Sequence, residues 1–484
     1  MNAISDRSRV ALWLSVCALW LLTFSRLVAL DTLPLHNDEG LHLTRALQVW
    51  RGHPFWEISD GKIVNHWLIS FFYPQNAPVF SGRVATVLIA LIGLAGGIAI
   101  GRQFSGMAGI VAVSLLWINA PYLFFYERTA LSDSQAAAWA VIAIWIALRL
   151  ARAPSTINAV LCGATLALAA LFKLTAAPFA LTVALIVLSS GTSLLQRLRS
   201  LIIVALTVIA LFSPVLLYLA LRSGNFGVAL GWLASGTQQA DLADNLRRLG
   251  DALLGFGDVT GATLWLIAFL SGILALLYFR QRVELIAAAS LPLGLMLLIS
   301  LTPMPRHFLT VLPPLIALSG SGLGTLWLRT RRLAPVWATM SGLVVLNSAA
   351  FALTAYNAPS QLKLPALDRA QFITEHSSGF GLREAMQRLP ELVSESVPII
   401  GSMFPDSCRR ANFYATGRTL RCVDGGGAAL LEQLLETQPE VCLLAEPPPI
   451  GIPMSRYAER ARLIQQFARP QGGTAVSLWC VKRS

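Results

Sequence analysis

The apolar segment VALWLSVCALWLLTFSRLVAL (residues 10–30) and the polar motif HNDEG (residues 36–40) decide the fold class of this chain. The apolar segment is long enough to cross a hydrocarbon core about 30 Å thick. The motif then places two adjacent carboxylates, Asp38 and Glu39, where the chain leaves that core. Carboxylates at such a boundary are costly to dehydrate, so they line an aqueous cavity or bind a charged group. The alternative is an ordinary solvated loop, and the rest of the chain decides between them.

The composition indicates a polytopic membrane protein. The chain has 484 residues, of which 55% are hydrophobic and 13% charged, and its mean hydropathy is +0.63. Soluble domains carry about 25% charged residues, roughly twice this share. The first apolar segment ends without a small-x-small cleavage site and is followed by further apolar segments. We therefore interpret it as a membrane span and not as a cleaved signal peptide.

The basic residues act as topology signals. The net charge is +12, but there is no long basic tract or basic helix face, so no nucleic-acid partner is predicted. Arginines occupy every second break between apolar segments, and acidic residues occupy the remaining breaks. By the positive-inside rule, the N-terminus is cytoplasmic and the acidic breaks lie outside. The arginines in question are Arg7, Arg9, Arg102, Arg149, Arg152, Arg197, Arg199, Arg280, Arg282, Arg329, Arg331 and Arg332.

The apolar pattern predicts about eleven transmembrane helices, an odd number that exports the C-terminus. We place them near residues 10–30, 82–100, 107–125, 134–151, 157–172, 174–190, 201–220, 261–279, 284–301, 308–327 and 333–355. Residues 157–190 could also form one long helix. Two spans divided at Lys173 keep Arg197 and Arg199 cytoplasmic, whereas a single span would invert every later loop, so we favour the division.

The pattern predicts two domains. Residues 1–355 form the transmembrane domain, with a long periplasmic loop at residues 31–81. Residues 356–484 form an extracytoplasmic α/β domain, because an amphipathic helix there is followed by short β-rich runs such as Val397–Ile400 and Val441–Leu444.

Cysteine usage agrees with an oxidising compartment for the second domain. Four of the six cysteines lie there, and four cysteines permit three pairings. We favour Cys408 with Cys422, which closes a local loop, and Cys442 with Cys480, which joins two strand-like runs. Disulfides of this kind are typical of proteins outside the cytosol.

The external breaks also carry cations that could share a site with the acids. Lysine is scarce, with four residues in the whole chain, and two of them, Lys62 and Lys173, fall at outer boundaries. Arg306 lies in a later external break. A long cation at a helix end can simply reach the interface, which is the alternative for Lys173 and Arg306. Cations at headgroup depth also suit a lipid phosphate, while a nearby carboxylate can accept a proton from an attacking hydroxyl.

Five motifs in order resemble one known family. They are Asp38-Glu39-Gly40, Asp60-Gly61-Lys62, Tyr126-Glu127-Arg128-Thr129-Ala130-Leu131-Ser132-Asp133, Lys173-Leu174-Thr175, and Arg306-His307-Phe308 with Pro313. At these residues the chain resembles the membrane glycosyltransferases of the C-type fold. It is most similar to the bacterial branch with protein O-mannosyltransferases and lipid A aminoarabinose transferases. The resemblance covers about the first 330 residues, and the second domain matches only loosely, at residues 379–385.

The resemblance implies the role of each residue. Asp38 would be the principal catalytic carboxylate, Glu39 would position the acceptor or the sugar, and Asp133 would support the same cavity. The donor phosphate would be held by Lys62, Arg128, Lys173, Arg306 and His307. We expect Asp38, Asp133, Lys173 and Arg306 around one cavity.

The resemblance also implies the reaction and its partners. The family uses polyprenyl- or dolichyl-phosphate sugars and inverts the anomeric centre. The acceptor would be a hydroxyl of a lipid, glycan or protein of the cell envelope, on the outer face of a bacterial cytoplasmic membrane. Some members need a divalent metal and others do not, so a metal remains open here, with His36 and the acids as the only evident ligands. No other cofactor is implied.

Two other function classes stay open at this point. A transporter or flippase of lipid-linked sugars could use the same charges for binding alone, although the conspicuous acids cluster on one side. A membrane scaffold could use the second domain to bind a partner. Demonstrated sugar transfer would separate the enzyme from both.

Overall fold

The computed structural model describes residues 6–54, 62–73, 77–223, 241–279, 283–300, 303–423, 427–446, 452 and 454–483. Asp60, Gly61, Arg280 and Arg282 lie outside these residues, so the predictions that involve them stay predictions. The chain forms a large helical domain followed by a small domain built on a five-stranded sheet.

The helical domain has fourteen helices within the described residues. In chain order, α1 to α14 are Asp6–Leu27, Asn37–Trp50, Ile63–Ser70, Pro78–Ile118, Pro121–Glu127, Ser132–Arg152, Thr156–Phe172, Phe179–Leu188, Leu194–Ser223, Leu242–Leu254, Val259–Tyr278, Val283–Ile299, Leu312–Arg329 and Ala334–Asn357. Helical structure occupies each of the eleven apolar segments predicted from the sequence. By length and composition, six of the described helices could cross a membrane, and three shorter ones are also apolar. The number of helices that do cross stays a prediction.

The 41-residue α4 is a hairpin of two antiparallel helices. Ser105 and Gly106 leave the helical conformation, and Gly106 has a φ of +60°. The chain turns back so closely that a Cβ on Gly101 would lie 2.6 Å from the carbonyl oxygen of Gly109. Glycine at these positions therefore permits the turn, which separates two segments that the apolar pattern also separates.

The chain also breaks at Lys173, as the topology argument predicted. α7 ends at Phe172, and Lys173 is extended, with φ of −160° and ψ of 125°. A 3₁₀ turn at Leu174–Ala176 then leads into α8. The break places the lysine between two apolar helices instead of inside one.

Small residues allow α13 to pack closely in the centre of the bundle. A Cβ on Gly320 would lie 2.6 Å from Cα of Val113 in α4, and one on Gly322 would lie 2.0 Å from the carbonyl oxygen of Gly272 in α11. Ser319 donates a hydrogen bond of 2.5 Å to the carbonyl oxygen of Phe269. Close backbone approach of this kind is how helices associate in a membrane, where burial of apolar surface drives association little.

The C-terminal part of the chain contains the small α/β unit that the sequence predicted, with its sheet and three helices between Leu382 and Lys482. We call this unit the C-terminal domain. After the short helix α15 (Ala366–Arg369), its helices are α16 (Leu382–Leu392), α17 (Pro405–Asn412) and α18 (Gly427–Thr437). Its strands are β1 (Ile399–Ser402), β2 (Arg421–Cys422), β3 (Glu440–Ala445), β4 (Ala461–Phe467) and β5 (Val476–Lys482). The sheet order is β2-β1-β3-β5-β4, with β1 parallel to β2 and β3, and β5 antiparallel to β3 and β4. The predicted division of the chain at residues 355 and 356 stays a prediction.

The structure contains both predicted disulfides. Cys408 of α17 is bonded to Cys422 of β2. Cys442 and Cys480 are directly opposed on β3 and β5, and they are also bonded. The first disulfide fixes α17 to the edge of the sheet, which matters because α17 packs against α2.

Candidate active site

Asp38 lies in the first turn of α2, immediately after the N-terminal cap of that helix. His36 is the cap, and its Nδ1 accepts a hydrogen bond of 3.1 Å from the backbone N–H of Asp38. The backbone N–H of His36 in turn donates 2.9 Å to Oε2 of Glu39. This reciprocal arrangement fixes the helix start, and with it the backbone that carries both carboxylates.

Asp38 forms an ion pair with Arg306. The atoms Oδ2 and Nη1 are 2.7 Å apart, and the side chain of Asp38 keeps 30% of its surface exposed. Arg306 comes from the 3₁₀ helix Pro305–Thr310, far along the chain. Partial burial disfavours the charged form of Asp38. The electrostatic effect of Arg306, with smaller effects of His36 and His42, nevertheless holds the pKa of Asp38 well below its usual range. Asp38 is therefore ionised at neutral pH and accessible from one side.

Asp133 forms a second ion pair, with Lys173. Asp133 lies in the first turn of α6, and its Oδ1 contacts Nζ of Lys173, with both side chains nearly buried. The hydroxyl of Thr175 lies 3.4 Å from that of Thr310, which joins the Lys173 turn to the Arg306 segment. Asp133 also interacts electrostatically with Arg306. The two ion pairs therefore belong to one cluster.

His307 and Lys62 complete this charged cluster. Burial, then Lys173 and Arg306, hold the pKa of His307 well below its usual value, so its imidazole is neutral. Its Nδ1 accepts 3.3 Å from the backbone N–H of Met304. Lys62 is the residue immediately before α3, and it interacts electrostatically with Asp38, Lys173 and His307. We call Asp38, Lys62, Asp133, Lys173, Arg306 and His307 the charged cluster.

Glu39 lies outside the charged cluster, although it is next to Asp38 in sequence. Its carboxylate is fully buried and receives two hydrogen bonds of 2.8 Å from Arg83 and one of 2.7 Å from the backbone N–H of Ala130. Arg83 also donates to the carbonyl oxygens of Leu30, Leu33 and Pro34. This arrangement ties α2 to α4 and favours a structural role for Glu39 over contact with a substrate.

Arg128 also has a set of partners away from the charged cluster. Its guanidinium donates to the carbonyl oxygens of Arg26, Val28 and Ala29, at 2.7 to 2.8 Å, where α1 ends. It also stacks over the ring of Phe124. Cations at a helix C-terminus satisfy its free carbonyl groups, so this geometry favours helix capping over phosphate binding.

The sequence reasoning missed one carboxyl group near the cluster. Asp368, in α15, is buried and accepts a short hydrogen bond from the hydroxyl of Tyr126. Burial raises the pKa of Asp368 to about 7, while Tyr126 and Arg306 oppose that shift. Asp368 follows Tyr126 by 242 residues, and no local pattern marks it.

In the part of the chain that the structure describes, the donors around Asp38 do not form a set of three metal-ligating atoms. Nδ1 of His36 accepts from the backbone N–H of Asp38, its Nε2 is buried without a hydrogen-bond partner, and the carboxylates of Asp38 and Asp133 pair with cations. Within the described residues, a single group of three His, Cys, Asp or Glu side chains has ligand atoms within 4.8 Å of one another, namely Glu440, Cys442 and Cys480. Its two cysteines form a disulfide and cannot ligate a metal. No step is therefore assigned to a metal.

Comparison with known proteins supports the fold. A family model described as dolichyl-phosphate-mannose-protein mannosyltransferase matches residues 52–218. ArnT from Cupriavidus metallidurans in the apo state is similar over 98% of both chains, with a TM-score of 0.64 and 16% identity. The structure of the same protein bound to undecaprenyl phosphate gives a TM-score of 0.64 at 14% identity, again over 98% of both chains. A comparison with curated proteins gives no match.

The helical bundle and its similarity to ArnT show a polytopic membrane protein with the C-type glycosyltransferase fold. Within that class, the chain is similar in fold to ArnT over nearly its whole length. The fold class predicted from the sequence is confirmed.

Proposed function

We propose that this protein is a glycosyltransferase that moves a sugar from a polyprenyl-phosphate carrier to a hydroxyl acceptor. One observation carries the proposal: an accessible, ionised carboxylate, Asp38, shares one cluster with the cations Lys62, Lys173 and Arg306. A base and a phosphate site in contact are what transfer from a lipid-phosphate donor requires. The fold of a protein that was solved with undecaprenyl phosphate supports the same donor class.

The cations are suited to the donor phosphate. Arg306 presents a planar guanidinium that can bind phosphate oxygens by two parallel hydrogen bonds, and Lys62 adds a second positive charge. Lys173 is held by Asp133, so it contributes to the potential of the site while its own ammonium stays in a fixed place. His307 is neutral, so its contribution is a hydrogen bond from the ring and not a charge.

Donor binding would prepare the base. Arg306 is paired with Asp38, which keeps the pKa of that carboxyl low and makes it a weak base. A phosphate that draws Arg306 toward itself would weaken this pair. The pKa of Asp38 would then rise toward the working pH, where a carboxylate accepts a proton more readily.

The chemical step follows from this geometry. The acceptor hydroxyl gives its proton to the carboxylate of Asp38, and its oxygen forms a bond to the anomeric carbon. The bond between that carbon and the phosphate oxygen breaks, and its electron pair leaves with the polyprenyl phosphate. Lys62 and Arg306 stabilise the charge that develops on the phosphate. Attack opposite to the leaving group inverts the anomeric centre.

We place the reaction on the outer face of a bacterial cytoplasmic membrane. The arginine pattern supports a cytoplasmic N-terminus, and both disulfides of the C-terminal domain support an oxidising compartment for that domain. The acceptor would then be an envelope lipid, glycan or protein, and the C-terminal domain is the part best placed to select it.

A transfer assay tests the proposal. The purified protein is placed in liposomes with a panel of undecaprenyl-phosphate hexoses and pentoses and with lipid, glycan and peptide acceptors, and the products are read by mass spectrometry. We expect consumption of one donor with release of an equal amount of undecaprenyl phosphate and an inverted product. Movement of intact donor across the bilayer without product would instead show a flippase.

A further inference from the structure

A buried arginine of the C-terminal domain packs against the start of α2. Arg410 lies on α17 and has no exposed surface. A Cβ on Gly40 of α2 would lie 2.6 Å from Cβ and 2.8 Å from Cγ of Arg410. The glycine of the Asp38-Glu39-Gly40 motif therefore leaves the space that the arginine side chain fills, and the two helices come into direct contact.

The guanidinium of Arg410 joins two segments beside Asp38. It donates hydrogen bonds to the carbonyl oxygens of Leu35, at 3.3 Å, of His376, at 3.0 Å, and of Ser377. The same carbonyl of Ser377 accepts 2.9 Å from the backbone N–H of Asn37. Arg410 therefore holds Leu35, which precedes the cap residue His36, and it also holds the segment 376–377. That segment in turn binds Asn37, which follows His36.

Two further groups near α17 hold the same short stretch of chain. The backbone N–H of Leu35 donates 2.5 Å to the hydroxyl of Tyr414. The hydroxyl of Ser407 donates 3.3 Å to Oδ1 of Asn37. Residues 35–37 are therefore held by the C-terminal domain through both backbone and side chain, immediately before the carboxylate proposed as the base.

Arg410 is not the nearest cation to Glu446, the carboxylate with which it forms an ion pair. Its Nη2 is 3.9 Å from Oε1 of Glu446, but that carboxylate pairs more closely with Arg469. Loss of Arg410 would leave Glu446 with its nearer partner. The buried guanidinium is therefore best explained by the carbonyl groups that it contacts.

We propose that Arg410 is a positioning residue that fixes the start of α2, so that the C-terminal domain completes the active site of the transmembrane domain. The disulfide between Cys408 and Cys422 anchors the helix that carries Arg410. The expected loss of sugar transfer rests on the function proposed above. The expected loosening of the chain at residues 35–37 is independent of that function.

A matched pair of variants tests the proposal. Arg410→Met keeps an unbranched side chain against Gly40 and removes the hydrogen bonds. Arg418→Met is the control, because Arg418 also donates to three backbone carbonyls, those of Val393, Ser394 and Val397, but all of them lie near or inside the C-terminal domain. Arg410→Lys is a second variant, which keeps a buried cation and guards against a failure of the methionine variant to fold.

The first measurement needs no sugar transfer. Hydrogen exchange at the backbone amides of Leu35 and Asn37 should speed up about tenfold or more in Arg410→Met, since exchange reports local opening. It should rise less in Arg410→Lys and stay unchanged in Arg418→Met. Unchanged exchange in both Arg410 variants would overturn the proposal, whatever the protein catalyses.

The second measurement separates positioning from general stability. At a temperature where all variants are folded, kcat for transfer should fall about tenfold or more in Arg410→Met, because a displaced base loses its approach to the acceptor. The Kd for undecaprenyl phosphate should stay within about twofold, as the cations remain in place. An equal loss of kcat in Arg418→Met would mean that Arg410 acts only through the stability of its domain. If the wild type transfers no sugar, the proposed function fails while the exchange experiment still decides the role of Arg410.

Discussion

Nη1 of Arg306 lies 2.7 Å from Oδ2 of Asp38, so the proposed base and a proposed phosphate ligand are each other's partner. This pairing orients both side chains and keeps Asp38 ionised. It also means that Arg306 should affect both donor binding and the ionisation of Asp38.

Replacement of Arg306 should therefore change the pH profile as well as donor binding. In Arg306→Gln the pKa of Asp38 should rise, because the cation that lowers it is gone. The acidic limb of the pH dependence of kcat/KM, which reports the free enzyme, should move to higher pH, since Asp38 must be deprotonated to act as base. The Kd for undecaprenyl phosphate, measured by tryptophan fluorescence, should rise about tenfold or more. An unmoved acidic limb would show that Arg306 does not act on the base.

The Asp133–Lys173 pair should contribute to both the stability of the fold and the transfer rate. Lys173→Met leaves a buried carboxylate without its partner, which destabilises a fold by about 3–5 kcal/mol. The double variant Asp133→Asn with Lys173→Met should recover most of the unfolding temperature and little of the transfer rate. Recovery of both would mean that the pair serves folding only.

Replacement of Glu39 should lower stability, whereas replacement of its neighbour Asp38 should lower turnover. Glu39→Gln weakens a fully buried pair with Arg83, and the expected loss of stability is about 3–5 kcal/mol, seen as a lower unfolding temperature in detergent. Asp38→Asn should lower the unfolding temperature less, because Asp38 is partly exposed and Arg306 keeps its electrostatic interaction with Asp133. A Glu39→Gln protein with wild-type stability and no turnover would instead support the role of Glu39 implied by the family resemblance.

Asp368 should make stability depend on pH. Its pKa in the fold, about 7, lies above the usual value, so the folded protein binds a proton that the unfolded chain releases more easily. Its contribution to stability is therefore full at low pH and is lost as the pH rises through about 7. Between pH 5 and pH 8 the unfolding temperature of the wild type should fall more than that of Asp368→Asn. Equal slopes would contradict the raised pKa.

Much of the fold could be predicted because it depends on local patterns. Apolar length located the helices, the position of Lys173 located the break after α7, and loop closure and strand pairing located the disulfides. Charge and family resemblance together also pointed to Asp38, Asp133, Lys173 and Arg306, which the structure places in one cluster.

The sequence could not separate neighbours that point in different directions. Asp38 and Glu39 are adjacent, but successive side chains on a helix are turned by about 100°, so one faces the cluster and the other faces Arg83. Asp133 and Arg128 come from one motif, yet Arg128 turns toward the end of α1. Asp368 and Arg410 reach the site only through tertiary packing of distant segments.

The transfer rate of Asp38→Asn, measured together with its affinity for undecaprenyl phosphate, tests whether Asp38 is the base. The control is Asp258→Asn, the same chemical change at an exposed carboxylate that pairs with Lys363. We predict that Asp38→Asn lowers kcat by about a hundredfold or more, as expected for loss of a general base. Its affinity for undecaprenyl phosphate should be retained, and Asp258→Asn should match the wild type. Wild-type turnover in Asp38→Asn would show that Asp38 is not the base.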